Sequence, residues 1–293
     1  MISRKTFLQS MLGLAGSSLL RRPARGGDPE PLRRNPLGRT GLTVTALGFG
    51  ATRTMESALV KAALDCGLRF IDTGRSYANG KNEEMLGEAL TGRRNEVVIQ
   101  SKLRLPDAAT AQTPAAEIIP RMEKDLEETL RALRTDRVDV LLLHGIEEVS
   151  ILDHEGVKDF FGRAKKTGKI RACGFSAHKN HLILLEKTLR DGFYEVVMLP
   201  FNPFGGFRHS IGGWSTKWDQ ENLIKALERA QAAGIGVVAM KTCSGGPYTS
   251  REGENPSLAE AVHWVTEKPY IASAAVAMAN FRQLEEHVGR HSL

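Results

Sequence analysis

Eight short runs of aliphatic and β-branched residues recur along the chain, most of them followed by a segment of helical periodicity. The runs are Ala46–Gly50, Arg69–Asp72, Val97–Lys102, Val138–His144, Ile170–Phe175, Glu195–Leu199, Ile235–Met240 and Ile271–Ala277. Between them lie amphipathic stretches at Ser57–Cys66, Asn82–Leu90, Ala115–Leu133, Glu155–Lys166, His181–Arg190, Gln220–Ala233 and Pro256–Thr266. Several of these end at a glycine, such as Gly67, Gly168 or Gly234, as helix C-termini do. The runs are largely apolar rather than alternating, which is the pattern of strands buried on both faces. Eight strands alternating with helices predict an α/β fold, a closed (β/α)8 TIM barrel. A doubly wound open sheet would carry a G-x-G-x-x-G turn after its first strand. Here Gly48-Phe49-Gly50-Ala51-Thr52-Arg53 has no third glycine. Ahead of the first run, Asn35–Thr45 predicts a β-hairpin turning at Arg39–Gly41, placed to plug the bottom of the barrel.

With 293 residues there is room for one such barrel. The expected division is a targeting segment at 1–27, a linker at 28–34 and the barrel at 35–293. The formal charge is +6, but residues 1–34 alone carry a net +5, so the barrel is close to neutral. That distribution argues against nucleic-acid binding, which needs its cations clustered on the folded body. In the first segment, Arg4 and Lys5 precede a mildly apolar stretch, Phe7–Leu20, too short to span a bilayer. Ser3-Arg4-Lys5-Thr6-Phe7-Leu8 resembles the twin-arginine export motif, with Lys5 in place of the second arginine. The resemblance implies export to the periplasm with only transient membrane contact; otherwise the chain would be cytoplasmic. Cys66, Cys173 and Cys243 are scattered and odd in number. They suit small buried apolar residues better than a disulfide framework, a zinc site or an iron–sulfur cluster.

In a parallel barrel, catalytic side chains come from the C-terminal ends of several strands and the loops that follow. Four residues fall there: Asp72, Tyr77, Lys102 and His144. Each alone could be structural, but together they form a coherent set for carbonyl chemistry. Reduction of a ketone needs a proton delivered to oxygen. A phenol titrating near 10 is a poor acid–base group at neutral pH unless a neighbouring ammonium favours its anion. A buried carboxylate would keep that ammonium charged, and an imidazole opposite would orient the carbonyl.

The motifs around these residues resemble those of the aldo-keto reductase family over nearly all of residues 35–288. The longest is the stretch from Phe70-Ile71-Asp72-Thr73 through Tyr77 to Glu88-Ala89-Leu90, which departs from the family pattern at Gly74, Ala78 and Asn82. Ser101-Lys102, the segment Asp136–His144 and Gly168-Lys169-Ile170-Arg171 leading to Gly174-Phe175-Ser176 supply three further matches. The resemblance implies an NADP- or NAD-dependent oxidoreductase acting on a small-molecule carbonyl. Tyr77 would be the proton donor, assisted by Lys102 and Asp72, with His144 orienting the substrate.

The cofactor side matches less closely. The family's Ser-Asn pair is Ser176-Ala177 here, its Gln is Met198, its stacking aromatic falls near Met240, and its adenine-contacting Asn is His287. Ser176, Lys241, Gln283 and Glu286 remain the expected cofactor contacts, with no cation at Ala277 or Gln283 to select a 2′-phosphate. A branch of the family carries a cysteine-rich, ferredoxin-like C-terminal module; the chain reaches Leu293 without one, so no cluster and only a short C-terminal loop are expected. The loop Asn202–Trp218 interleaves Phe204, Phe207, Trp214 and Trp218 with glycines, and these aromatics either line a substrate pocket or pack on the rim. Two other functions compete with reduction. One is a catalytically weak nucleotide-binding or sensor barrel. The other is a metal-dependent hydrolase using His144, Asp153, His154, His178 and His181.

Overall fold

Each of the eight apolar runs becomes a strand in the computed structural model, and they close on one another as a barrel. It describes residues 32–106, 109–208, 213–243 and 258–291. The targeting segment expected at 1–27 and most of the expected linker lie outside the described residues.

The chain enters through a hairpin in which β1 (Arg34–Pro36) pairs antiparallel with β2 (Thr43–Thr45). The barrel strands are then β3 (Leu47–Gly50), β4 (Phe70–Asp72), β5 (Val98–Leu103), β6 (Val138–Leu143), β7 (Ile170–Ser176) and β8 (Val196–Pro200). After an antiparallel excursion, β9 (Gly206–Arg208) with β10 (Ser215–Lys217), the barrel resumes with β11 (Gly236–Met240) and β12 (Ser273–Ala277). Neighbours pair parallel in sequence order, and β12 returns to β3 to complete the ring. The outer layer is made by α1 (Ser57–Asp65), α2 (Lys81–Ala89), α3 (Ala115–Ala132), α4 (Glu155–Lys166), α5 (His181–Asp191), α6 (Gln220–Ala232), α7 (Leu258–Thr266) and α8 (Phe281–His291). Among the described residues no helix is long and apolar enough to cross a membrane.

Two apolar layers hold this together. Outward-facing strand residues such as Ile71, Ile99, Leu141, Leu143 and Val237 pack with helix residues such as Leu59, Leu86, Met122 and Phe160. Inside the ring, Phe70, Val140, Leu142, Val196, Met198 and Val238 pack on one another and on Leu37, Leu42 and Val44 of the hairpin. The hairpin is therefore the expected plug. Its turn sits hard against the backbone that leads into β11. Gly38 has φ +54°, and a Cβ there would come 2.4 Å from the Gly234 carbonyl oxygen, so only glycine closes this floor.

Filling the interior with side chains leaves the C-terminal rim as the place where polar groups gather. No disulfide contributes: Cys173 is buried, and burial pushes its thiol up to about 12.

Candidate active site

Strand period places Asp72 on β4 and Gln100 and Lys102 on β5 in the barrel interior, because residues two apart share a face. Asp72 and Gln100 are register partners, and Lys102 lies one step nearer the rim. All three are buried. Ser101, between them, points outward and donates to Glu83 Oε1 of α2 at 2.7 Å.

The Lys102 ammonium has three hydrogens and meets three acceptors: Asp72 Oδ1 at 2.6 Å, the Thr73 carbonyl at 2.5 Å and Tyr77 Oη at 3.2 Å. Lysine can only donate, so it occupies the tyrosine oxygen as acceptor and leaves the phenolic proton available outward. Burial works against the charged ammonium, yet Asp72 and Tyr77 outweigh it and hold its pKa above the ordinary lysine value. Tyr77 itself is half-buried. Burial raises its pKa more than Lys102 lowers it, and Asp72 pushes the same way as burial, so the phenol is protonated at neutral pH. The sequence pointed to the lysine's effect, but burial by the surrounding fold dominates.

His144 follows β6 directly. Its ring lies edge-on to Tyr77 with centroids 5.7 Å apart, and Nδ1 is 3.2 Å from Ser76 Oγ. Burial first, then the charges of Lys102 and Arg104, hold its pKa well below the ordinary histidine value. It is a neutral imidazole at physiological pH, able to donate one hydrogen bond.

The loop that carries Tyr77 is unusual in its backbone. Ala78 and Asn79 take left-handed φ of 48° and 54°, and Gly80 follows at 87°. Such conformations are costly for non-glycine residues and persist only where surroundings impose them. Here Arg75 bonds the buried Glu83 at 2.6 Å, and its guanidinium packs over Gly80. Asn82 ties the other side, accepting from Thr73 Oγ1 at 2.7 Å and donating to the carbonyls of Ala51 and Thr54, each at 2.9 Å.

All four expected catalytic residues thus converge at one mouth. The residues that sequence reading missed are those holding them: Arg75, Asn82, Glu83 and above all Gln100. Gln100 Nε2 donates to Asp72 Oδ1 at 2.7 Å, while its buried Oε1 has no hydrogen-bond partner among the described residues. An orphaned acceptor of this kind costs about 1–3 kcal/mol. The sequence shows Gln100 only as an amide that follows Val97-Val98-Ile99, two residues before the lysine, and does not reveal its partner.

The sequence profile of the Aldo/keto reductase family matches residues 47–291, covering every barrel strand. The chain belongs to this family. Among its relatives, the uncharacterized oxidoreductase YqkF of Bacillus subtilis (strain 168) is 26% identical over 182 residues, 59% of this chain and 57% of that protein. The chain thus matches a little over half the length of that curated relative. Of the solved structures, the holo form of aldo-keto reductase AKR11C1 from Bacillus halodurans superposes with a TM-score of 0.68 at 21% identity, covering 88% of this chain and 90% of that one. An aldo/keto reductase from Klebsiella pneumoniae, solved in complex with NADP and acetate, gives a TM-score of 0.64 at 22% identity, covering 87% and 89%.

The expected cofactor residues of this aldo/keto reductase are spread around the rest of the rim, from Ser176 on β7, next to the strand that leads to His144, to Lys241 after β11 and Gln283 and Glu286 on α8. Lys241 follows β11 with φ +55°, and its ammonium sits over the Phe207 ring at 5.5 Å. Burial, then Arg53, lowers its pKa, and among the described residues no carboxylate pairs with it. The Ser176 hydroxyl is engaged locally, accepting from Gly145 N at 3.0 Å and donating to the Leu143 carbonyl at 3.3 Å. Gln283 accepts from Ala279 N at 2.7 Å at the start of α8, and Glu286 is exposed one turn on. Of the loop aromatics, Phe207 is buried against Trp214 and His178, at centroid distances of 5.4 and 6.1 Å, and Trp218 stacks edge-on to His181 at 5.2 Å. Two of the residues a metal site would have used are spent elsewhere. His154 caps α4 and faces the Thr113 carbonyl, and Asp153 pairs with Lys158 and Lys187.

Proposed function

We propose that the chain reduces a small-molecule aldehyde or ketone to an alcohol with NADPH or NADH. The observation that carries the reading is the saturated Lys102 ammonium, which presents a protonated Tyr77 to the mouth of the barrel. A bound reduced nicotinamide supplies hydride to the carbonyl carbon. Tyr77 gives its proton to the carbonyl oxygen, and the phenolate left behind is stabilised by Lys102, whose own charge Asp72 secures. The neutral His144 donates a hydrogen bond to the same oxygen as negative charge develops on it. Lys241 would meet the diphosphate of the nucleotide, with Ser176, Gln283 and Glu286 as further contacts.

Titrating the protein with NADPH and with NADH while following the fluorescence of its three tryptophans tests this directly. Saturable quenching by at least one nucleotide is expected, and the ratio of the two affinities reports whether a 2′-phosphate is recognised. Folded protein that binds neither would leave the tetrad as a relic and overturn the proposal.

We also propose that residues 1–27 direct export, ahead of a folded unit that already includes Leu32 in its core and begins its first strand at Arg34. The basic pair Arg4-Lys5 and the apolar stretch after it support this. The full chain expressed in a bacterium with a twin-arginine pathway should be recovered from the periplasm, and replacing both Arg4 and Lys5 with Gln should trap it inside. Recovery of the unaltered chain only from the cytoplasm would sink the export reading.

A further inference from the structure

Gln100 is a buried amide inside the barrel beside the tetrad, and the carbonyl-reduction mechanism above does not use it. It sits on β5 directly beneath Lys102, level with Asp72 on β4, in a ring otherwise lined by Phe70, Val140, Met198 and Val238. The carboxylate fixes the orientation of the amide, because an ionised Asp72 can only accept and so must face the nitrogen. That nitrogen shares Asp72 Oδ1 with the lysine ammonium, at 2.7 and 2.6 Å, and also lies 3.4 Å from Met198 Sδ. Turning the nitrogen to Asp72 leaves Oε1 buried and unpartnered. A packing role would be filled better by an apolar side chain of the same size, without that penalty.

We infer that Gln100 is a positioning residue: its amide fixes the Asp72 carboxylate and shares its charge, so that Lys102, bonded to Asp72 at 2.6 Å, also keeps its contact with Tyr77 at 3.2 Å. The inference rests on the proposed carbonyl reduction for its catalytic meaning. The groups acting on Tyr77 are Lys102 and Arg104, which favour its anion, and Asp72, which opposes it; His144 faces it from β6 as a neutral ring. Removing the amide donor exposes more of the Asp72 charge and draws the ammonium away from the phenol. Both changes act in one direction, making Tyr77 harder to ionise.

Two variants test this. In Gln100→Leu the volume is kept and the donor is lost, so kcat should fall about tenfold with KM changed less than twofold, and Tyr77 should titrate at higher pH. That titration is read by tyrosinate absorbance against a Tyr77→Phe reference and needs no turnover, so it decides the matter even if carbonyl reduction itself fails. In Gln100→Glu a protonated carboxyl can donate to Asp72 as the amide does. Its activity should approach the unaltered level at acid pH and fall as the new group ionises, adding a limb to the pH profile that the unaltered enzyme lacks. If folded Gln100→Leu protein shows an unmoved Tyr77 titration, or if Gln100→Glu follows the unaltered pH profile throughout, Gln100 is a packing residue and the inference is wrong.

Discussion

Replacing Tyr77 with phenylalanine is expected to lower kcat for carbonyl reduction by roughly 10²–10⁴-fold, the usual contribution of a positioned general acid, with nucleotide affinity nearly unchanged. The phenolic proton is uncommitted, because Lys102 occupies its oxygen from the other side. Phenylalanine keeps the ring beside His144 and the ring face under the lysine, so the loop that bears it need not move. What is lost is the transferable proton, together with the oxygen that accepts from Lys102 at 3.2 Å. Since burial holds the Tyr77 pKa above its ordinary value, the acid form predominates at neutral pH. Reduction by the unaltered enzyme should therefore hold through neutral pH and decline only as pH rises through that elevated value. Single-turnover rates and nucleotide titrations on both proteins separate the two effects. A Tyr77→Phe protein that turned over at even a tenth of the original rate would mean the proton comes from elsewhere, with His144 the next group to examine.

The arrangement around that phenol was only partly legible in the sequence. Strand positions were readable because a buried parallel strand announces itself as a continuous apolar run, and β6 and β11 lie within a residue of where the runs end. The four tetrad residues were readable because each stands at or just beyond such an end. Gln100 was not, although it lies two residues from Lys102. Period two tells which face a side chain takes, but not that Asp72, 28 residues away, stands opposite it. The β9–β10 excursion escaped for a different reason. Three-residue strands are too short for alternation to show, so glycines and aromatics suggested only a loop. On the cofactor side, Ser176 and Gln283 illustrate how a motif position fixes a residue type but not its partners. Both spend hydrogen bonds on neighbouring backbone in this structure.

Strand closure itself gives the second large effect. Gly174→Ala is expected to destabilise the protein by more than about 3 kcal/mol, beyond the usual range for overpacking a core. Gly174 lies on β7 in register with Leu142 of β6 on one side and Val196 of β8 on the other. A Cβ added there would come 1.7 Å from the Val196 carbonyl oxygen, 2.7 Å from its carbon and 2.9 Å from Leu142 Cδ2. A leucine methyl can rotate away, but a strand carbonyl cannot move without breaking the β7–β8 ladder beside Ser176. The barrel must open at that seam or the chain must fold elsewhere. Against a total stability of about 5–15 kcal/mol for typical domains, such a loss should lower the melting temperature by roughly 10 °C or send the protein to the insoluble fraction. Gly162→Ala supplies the contrast. Gly162 sits on the exposed face of α4, where an added Cβ meets nothing within 4 Å. There alanine should be neutral or stabilising by about 0.5–1 kcal/mol, through helix propensity alone. Equal melting temperatures for the two variants would mean that β7 and β8 do not approach as closely as this register requires, and with it the placement of Ser176 at the rim would fail.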